Sequence, residues 1–78
     1  MAVHAYVLIQ TDVGQAAEVV RQMSQISGVV LAEGVTGPYD VIARAEATSI
    51  DQLGKLVVGE LQGIDGITRT ITCPVVHL

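Results

Sequence analysis

The feature that most restricts this fold is a pattern that occurs twice. A run with the period of a strand gives way to a run with the period of a helix, then to glycine, then to a second strand-like run. In the first half, Val3 to Gln10 is rich in β-branched and aromatic residues and predicts a strand. Asp12 and Gln15 have the spacing of a capping box. Ala16, Val19, Val20, Met23 and Ile26 then line one face of a helix, and Gly28 stands where a helix-terminating glycine belongs. Val29 to Thr36 predicts the next strand, with Gly34 as the expected bulge.

The second half repeats this grammar. After the Gly37-Pro38 turn, Tyr39 to Ala47 predicts a strand. In it Val41, Ala43, Ala45 and Ala47 share one face, and Ile42, Arg44 and Glu46 share the other. Ser49 and Gln52 form a second capping box. Ile50, Leu53, Leu56, Val57 and Leu61 are the expected apolar face of a second helix. Gly54 and Gly59 weaken that helix, and close packing against the sheet is the reading that accounts for them. Gly63 and Gly66 end it, and Ile67 to Val76 predicts a last strand, which Pro74 restricts to a sheet edge or to the strand's own end.

The order is therefore βαββαβ. Right-handed crossovers turn it into a ferredoxin-like α+β fold, a four-stranded antiparallel sheet in the order 4-1-3-2 with both helices on one face. The opposite face is left bare, and it is expected to carry Ile42, Thr68, Thr70 and half of the first strand.

At 78 residues the chain makes one small domain, and small domains need a staple. Cys73 is the only cysteine, so no disulfide forms within the chain, and His4, His77 and Cys73 lack zinc-site spacing; no metal and no cofactor are expected. That leaves association. Half of the residues are apolar (50%), more than one thin core hides, and the bare sheet face predicts a homodimer. A net charge of −4, with only Arg21, Arg44, Lys55 and Arg69 as basic residues, argues against direct nucleic-acid binding. No apolar run is long enough to span a membrane, and no export signal is visible, so a cytoplasmic location is expected.

No catalytic constellation stands out. The serines have no neighbouring base, the two histidines lie near opposite ends of the chain, and Cys73 reads as a small apolar strand residue. Glu33 and Glu46 are candidates to face each other across the hairpin, with solvated strand positions as the simpler reading. The informative segment is Val35 to Asp40. A glycine-proline turn exposes backbone N–H groups, and an aromatic ring and a carboxylate follow directly. A carboxylate holds an ammonium group, and N–H groups and hydroxyls hold a carboxylate. Thr68, Thr70 and Thr72 alternate along the last strand and put a hydroxyl row on one face. Together these are the groups needed to recognise a free amino acid. By themselves the residue types leave a second reading open, in which Asp40 only fixes the turn and the threonines are ordinary strand formers.

Gly37-Pro38-Tyr39-Asp40 followed by an apolar strand resembles the G-x-Y-D signature of the ligand-binding domain of the Lrp/AsnC (feast/famine) regulators. Gly66-Ile67-Thr68-Arg69-Thr70 resembles the entry to that family's final strand. The resemblance covers essentially all of residues 1–78. It implies a dimer made by packing sheets face to face, dimers that assemble into octamer-like rings, and small ligands, usually amino acids, in clefts between dimers. By position it assigns Gly37, Tyr39, Asp40, Thr68 and Thr70 to ligand binding. Family regulators carry an N-terminal helix-turn-helix domain, whereas this chain begins at its first strand. The resemblance therefore implies a stand-alone sensing and oligomerisation module that regulates transcription or metabolism by co-assembly, and not an enzyme. A dimeric α+β barrel enzyme of similar topology is one alternative. Such sites use His, Asn, Trp or Phe, and the chain has no Trp or Phe. An assembly-only domain is the other.

Overall fold

The computed structural model describes residues 2–78. Four strands, β1 (Val3–Thr11), β2 (Val29–Gly34), β3 (Val41–Ala47) and β4 (Ile67–Pro74), form one sheet. Helix α1 (Ala16–Met23) joins β1 to β2, and α2 (Ile50–Lys55) leads from β3 towards β4. The sheet order is β2-β3-β1-β4, with all pairs antiparallel, which is the expected 4-1-3-2 order read from the other edge.

The core lies between one sheet face and the helices. Val7, Ile9, Val41 and Ala43 pack against Val19 and Met23 of α1 and against Val57, Leu61 and Ile64. A smaller cluster of Ala5, Ala45 and Leu53 extends it. The alanines of β3 let the helical layer approach closely, as their alternation predicts. Val7 of β1 opposes Ala43 of β3, bulk against none, whereas Ala5 opposes Ala45 and leaves room for Leu53 of α2.

Helix α2 starts as its sequence requires. The Ser49 hydroxyl accepts a hydrogen bond from the Gln52 amide at 3.1 Å. It then widens into a π-helical segment, Leu56–Leu61, in which the Gln62 amide donates to the Val57 carbonyl. Val57 and Leu61, four residues apart, are both buried in it. The start of α1 differs from expectation. Gln15 occupies the cap without a side-chain bond, and it is Asp12's backbone carbonyl that accepts from the Gln15 amide. Gly14, at φ +80°, turns the chain between them and breaks the capping-box spacing.

Four further expectations are corrected. The β2 bulge falls between Val29 and Leu31, not at Gly34. Gly54 and Gly59 do not serve close packing within the chain, because a Cβ built on either meets nothing within 4 Å. Ile50 is not a core residue but is 59% exposed. Thr70 does not lie on the bare face: it opposes Ile9, and Thr72 opposes Val7, so both share the helix-covered side.

The bare face instead presents His4, Tyr6 and Leu8 of β1, Ile42, Arg44 and Glu46 of β3, Glu33 of β2, and Ile71 and Cys73 of β4. Glu33 opposes Ile42 and is exposed, so it does not face Glu46 and the simpler reading, a solvated strand position, holds for it. Glu46 meets His4 instead, with Oε1 3.1 Å from Nδ1. Arg44 lies beside them, its Nη2 3.2 Å from the same Nδ1, its Nη1 donating to the Tyr6 hydroxyl, and its guanidinium 5.6 Å from the Tyr6 ring centre.

Candidate ligand site

One end of the sheet gathers the segments that the sequence singles out. β1 ends there, the β2–β3 turn crosses it, and β4 begins there. The turn is held at several points. The Val35 amide donates to the Asp40 carbonyl at 2.9 Å, and the Asp40 amide donates to the Ile9 carbonyl at 2.9 Å. Gln10 Nε2 donates to the Pro38 carbonyl at 3.1 Å. Gly37 has φ +137°, a conformation open to glycine and strained for other residues, although there is empty space where its Cβ would stand.

Asp40 is partly buried, and its Oδ2 accepts from the Thr11 amide at 2.8 Å and, at longer range, from the Thr11 hydroxyl at 3.4 Å. The carboxylate thus ties the turn to the end of β1 at the point where the β1–β4 register shifts, between Gln10 and Thr11. The β1–β3 pairing ends at Ile9 and Val41, so the Thr11 amide lies beyond that ladder, and the Asp40 carboxylate supplies its acceptor. Among the described residues, Oδ1 of Asp40 receives no hydrogen bond, so half of the carboxylate remains available.

On the far side of β1, Gln62, Ile67, Thr68, Arg69 and Thr70 line a cleft of about 320 Å³. Gln62 Nε2 donates to the Thr70 hydroxyl at 3.3 Å, which orients that hydroxyl. The Asp12 amide donates to the Gly66 carbonyl at 2.8 Å and pins the start of β4 to the end of β1. The cleft offers an amide, two hydroxyls and a guanidinium-bearing residue, a set suited to a carboxylate or another hydrogen-bonding ligand.

The structure therefore places all five sequence-derived residues at one end of the fold, in two groups. Gly37, Tyr39 and Asp40 belong to the β2–β3 turn, and Thr68 and Thr70 belong to the cleft beside β4. β1 lies between them in the sheet, so they do not share a cavity within one chain. Three participants were missed: Thr11, the partner of Asp40; Gln10, which braces the turn; and Gln62, which orients Thr70. No local signal marks them, since each acts through a residue far away in the chain.

With this geometry in view, the comparisons with known proteins fall into place. The family model for the Lrp/AsnC ligand binding domain matches residues 4–77. An uncharacterised HTH-type transcriptional regulator of Pyrococcus furiosus is 32% identical over 71 residues, 87% of this chain and 47% of that protein. The crystal structure of FFRP-DM1 superposes with a TM-score of 0.90 at 26% identity, covering 95% of this chain and 99% of that one. A transcriptional regulator from Neisseria meningitidis, NMB0573, crystallised as an L-Met complex, shares the fold with a TM-score of 0.85 at 17% identity, covering 96% of this chain and 50% of that one.

This is a ligand-binding domain of ferredoxin-like architecture. The chain belongs to the Lrp/AsnC family. It spans about half the length of the HTH-type regulators it matches, 47% of the Pyrococcus furiosus protein.

Proposed function

We infer that the domain senses a small molecule, an amino acid, and couples that binding to oligomerisation, regulating transcription or metabolism in the cytoplasm through co-assembly. The observation that carries this reading is the end of the sheet described above. There a braced carboxylate with one uncommitted oxygen stands on a glycine turn, across β1 from a cleft with oriented hydroxyls. A zwitterion needs both halves: the carboxylate for its ammonium group, the N–H and hydroxyl donors for its carboxylate. The halves are apart in one chain, so the complete site is composite, with the turn of one subunit facing the cleft of another. The L-Met complex of the Neisseria meningitidis neighbour supports an amino acid as the ligand class.

The bare sheet face supports a homodimer as the basic unit. Leu8, Ile42 and Ile71 form its apolar centre, and the His4–Glu46–Arg44–Tyr6 cluster gives it a polar register mark. An interface of this kind buries the apolar excess that the chain's single core leaves over. Two such dimers side by side bring turn and cleft of different subunits together, which makes ligand binding and ring formation one event. The reading assigns no catalytic residue.

Thermal unfolding against the twenty amino acids at millimolar concentration tests this. A ligand at 100 times its Kd stabilises the folded form by roughly 2.7 kcal/mol. The expected result is a selective rise in Tm that is lost in Thr70→Val and in Asp40→Asn. A flat profile across the whole set refutes the amino-acid reading.

A further inference from the structure

On the bare sheet face one ring nitrogen lies between two groups that require opposite things of it. Nδ1 of His4 is 3.1 Å from Oε1 of Glu46 and 3.2 Å from Nη2 of Arg44. A carboxylate only accepts hydrogen bonds, and a guanidinium only donates them. A neutral ring with its proton on Nε2 accepts from Arg44 and offers Glu46 nothing. A protonated ring donates to Glu46, and Arg44 Nη2 loses its acceptor. Nη1 keeps the Tyr6 hydroxyl in either state, at 3.2 Å. Among the described residues Arg44 reaches no carboxylate and Glu46 reaches no lysine or arginine, so the ring is the link between these two charges.

Few other titratable or charged groups face the ring. Tyr6 is its neighbour on β1, and Cys73 of β4 opposes Tyr6. Glu33 of β2 opposes Ile42, and Arg69 of β4 opposes Gln10, both towards the other end of the sheet. Beyond β4 the Val75 amide donates to the His4 carbonyl at 2.9 Å, and the exposed His77 lies two residues further on. The helices pack against the opposite face.

We propose that His4 makes the face-to-face dimer sensitive to pH, with protonation of its imidazole driving the subunits apart. This rests on the sheet-face dimer inferred above. Attraction to Glu46 and repulsion from Arg44 act on the ring at almost the same distance, 3.1 and 3.2 Å, and nearly cancel. What remains is the cost of taking the added charge out of water. In the single chain that cost is small, because the side chains of His4 and Glu46 are 24% and 38% exposed. In the dimer the cluster is enclosed beside Leu8, Ile42 and Ile71. With a neutral ring the charges of Arg44 and Glu46 sum to zero, and with a protonated ring each subunit adds one uncompensated positive charge to the interface. The dimer therefore holds fewer protons than the separated chains. It is favoured above the imidazole range and lost as pH falls through it.

The direction separates this effect from the overall charge. The chain carries −4 at pH 7, and its isoelectric point is about 4.7. Acidification reduces the general repulsion between subunits and by itself tightens the dimer. The His4 cluster predicts the reverse.

The test is the dimer dissociation constant by sedimentation equilibrium from about pH 7.5 to about pH 5.5, the range in which an imidazole changes charge, with circular dichroism as the check on folding. Ile42→Ala, which trims the apolar centre of the face, is measured alongside so that dissociation comes within reach of dilution. Two protons taken up per dissociating dimer raise the constant by up to about a hundredfold for each pH unit, and a rise of at least about tenfold over the range is expected. His4→Gln, which does not titrate, is expected to abolish the rise, and His77→Gln to keep it. A constant that stays level or falls on acidification overturns the proposal and leaves the dimer standing. So does a rise that persists in His4→Gln. A protein that is a single chain even at the upper pH overturns the dimer itself, and the switch with it.

Discussion

Replacing Asp40 by alanine separates the two roles the structure gives this carboxylate. In the folded chain Oδ2 holds the Thr11 amide at 2.8 Å, with the Thr11 hydroxyl as a weak second donor at 3.4 Å. A hydrogen bond to a charged group contributes about 1.5–3 kcal/mol when well buried. Here the contact is only partly buried, and water replaces part of what is lost, so about 1–2 kcal/mol is expected. Unfolding entropy of about 2.1 cal/mol/K per residue gives roughly 0.16 kcal/mol/K for a chain of this size, so 1.5 kcal/mol lowers Tm by about 9 °C. Asp40→Asn retains an oxygen acceptor for the Thr11 amide and removes only the charge. Its Tm is expected to fall by less than half as much. Ligand binding needs the charge itself, so both variants are expected to lose the amino-acid-dependent stabilisation. Calorimetry with and without ligand measures both effects on one sample. An Asp40→Ala protein with the Tm of the parent would show that the Thr11 contact carries no stability, and the account of the turn would be wrong.

Further expectations follow from other residues. Gly66 has φ +97°, and a Cβ there would lie 3.1 Å from Gln15 Cβ, so Gly66→Ala is expected to destabilise by roughly 1–2 kcal/mol from backbone strain and more from the contact; a denaturation midpoint equal to the parent's refutes this. Met23 is fully buried in the main core, and Met23→Ala is expected to cost about 2–5 kcal/mol in chemical denaturation. Glu18 is held down to about 2, first by its hydrogen bond from Arg21 and then by that from Gln22. The folded value lies below the ordinary 4.5, so the stability this group adds is present above 4.5 and fades as pH falls towards 2. The group is on the surface and the effect is small, so the direct measurement is the Glu18 side-chain titration by NMR, where a midpoint near 4.5 would refute the pairing.

Much of the fold was legible before any coordinates. The order of elements follows from periodicity, because a strand repeats its environment every second residue and a helix about every third or fourth. Ser49 caps α2 as its spacing to Gln52 requires. Gly28 and Gly66 both adopt positive φ, at +100° and +97°, but at the entries to β2 and β4; α1 ends earlier than expected, at Met23 with Ser24 as its cap, so Gly28 is not its terminating glycine. The sheet order follows from the handedness of the two crossovers, which local chirality fixes. The site was legible in part. Gly37 and Asp40 lie on a turn whose chemistry the sequence shows directly.

The sequence could not settle what depends on register. Thr70 was expected on the bare face, and it faces the helices. In β4 the two faces alternate Thr70 and Thr72 with Ile71 and Cys73, and in β1 both faces carry large apolar residues, Val7 and Ile9 on one and Tyr6 and Leu8 on the other. With both faces partly apolar, alternation carries no sign that tells inside from outside. Pairing with β1 decides it, and a slip of one residue would reverse every side chain in the strand. The same holds for Gly54 and Ile50. A glycine and an isoleucine in a helix look alike whether they meet the sheet or solvent, and only the rotation of α2 on the core, fixed by Leu53, Val57 and Leu61, turns them outwards. What the chain itself dictates is what neighbouring residues dictate to each other: period, cap and turn. Which face each side chain joins is settled only when distant strands pair and the helices pack, because that choice is made by contacts between residues far apart in sequence.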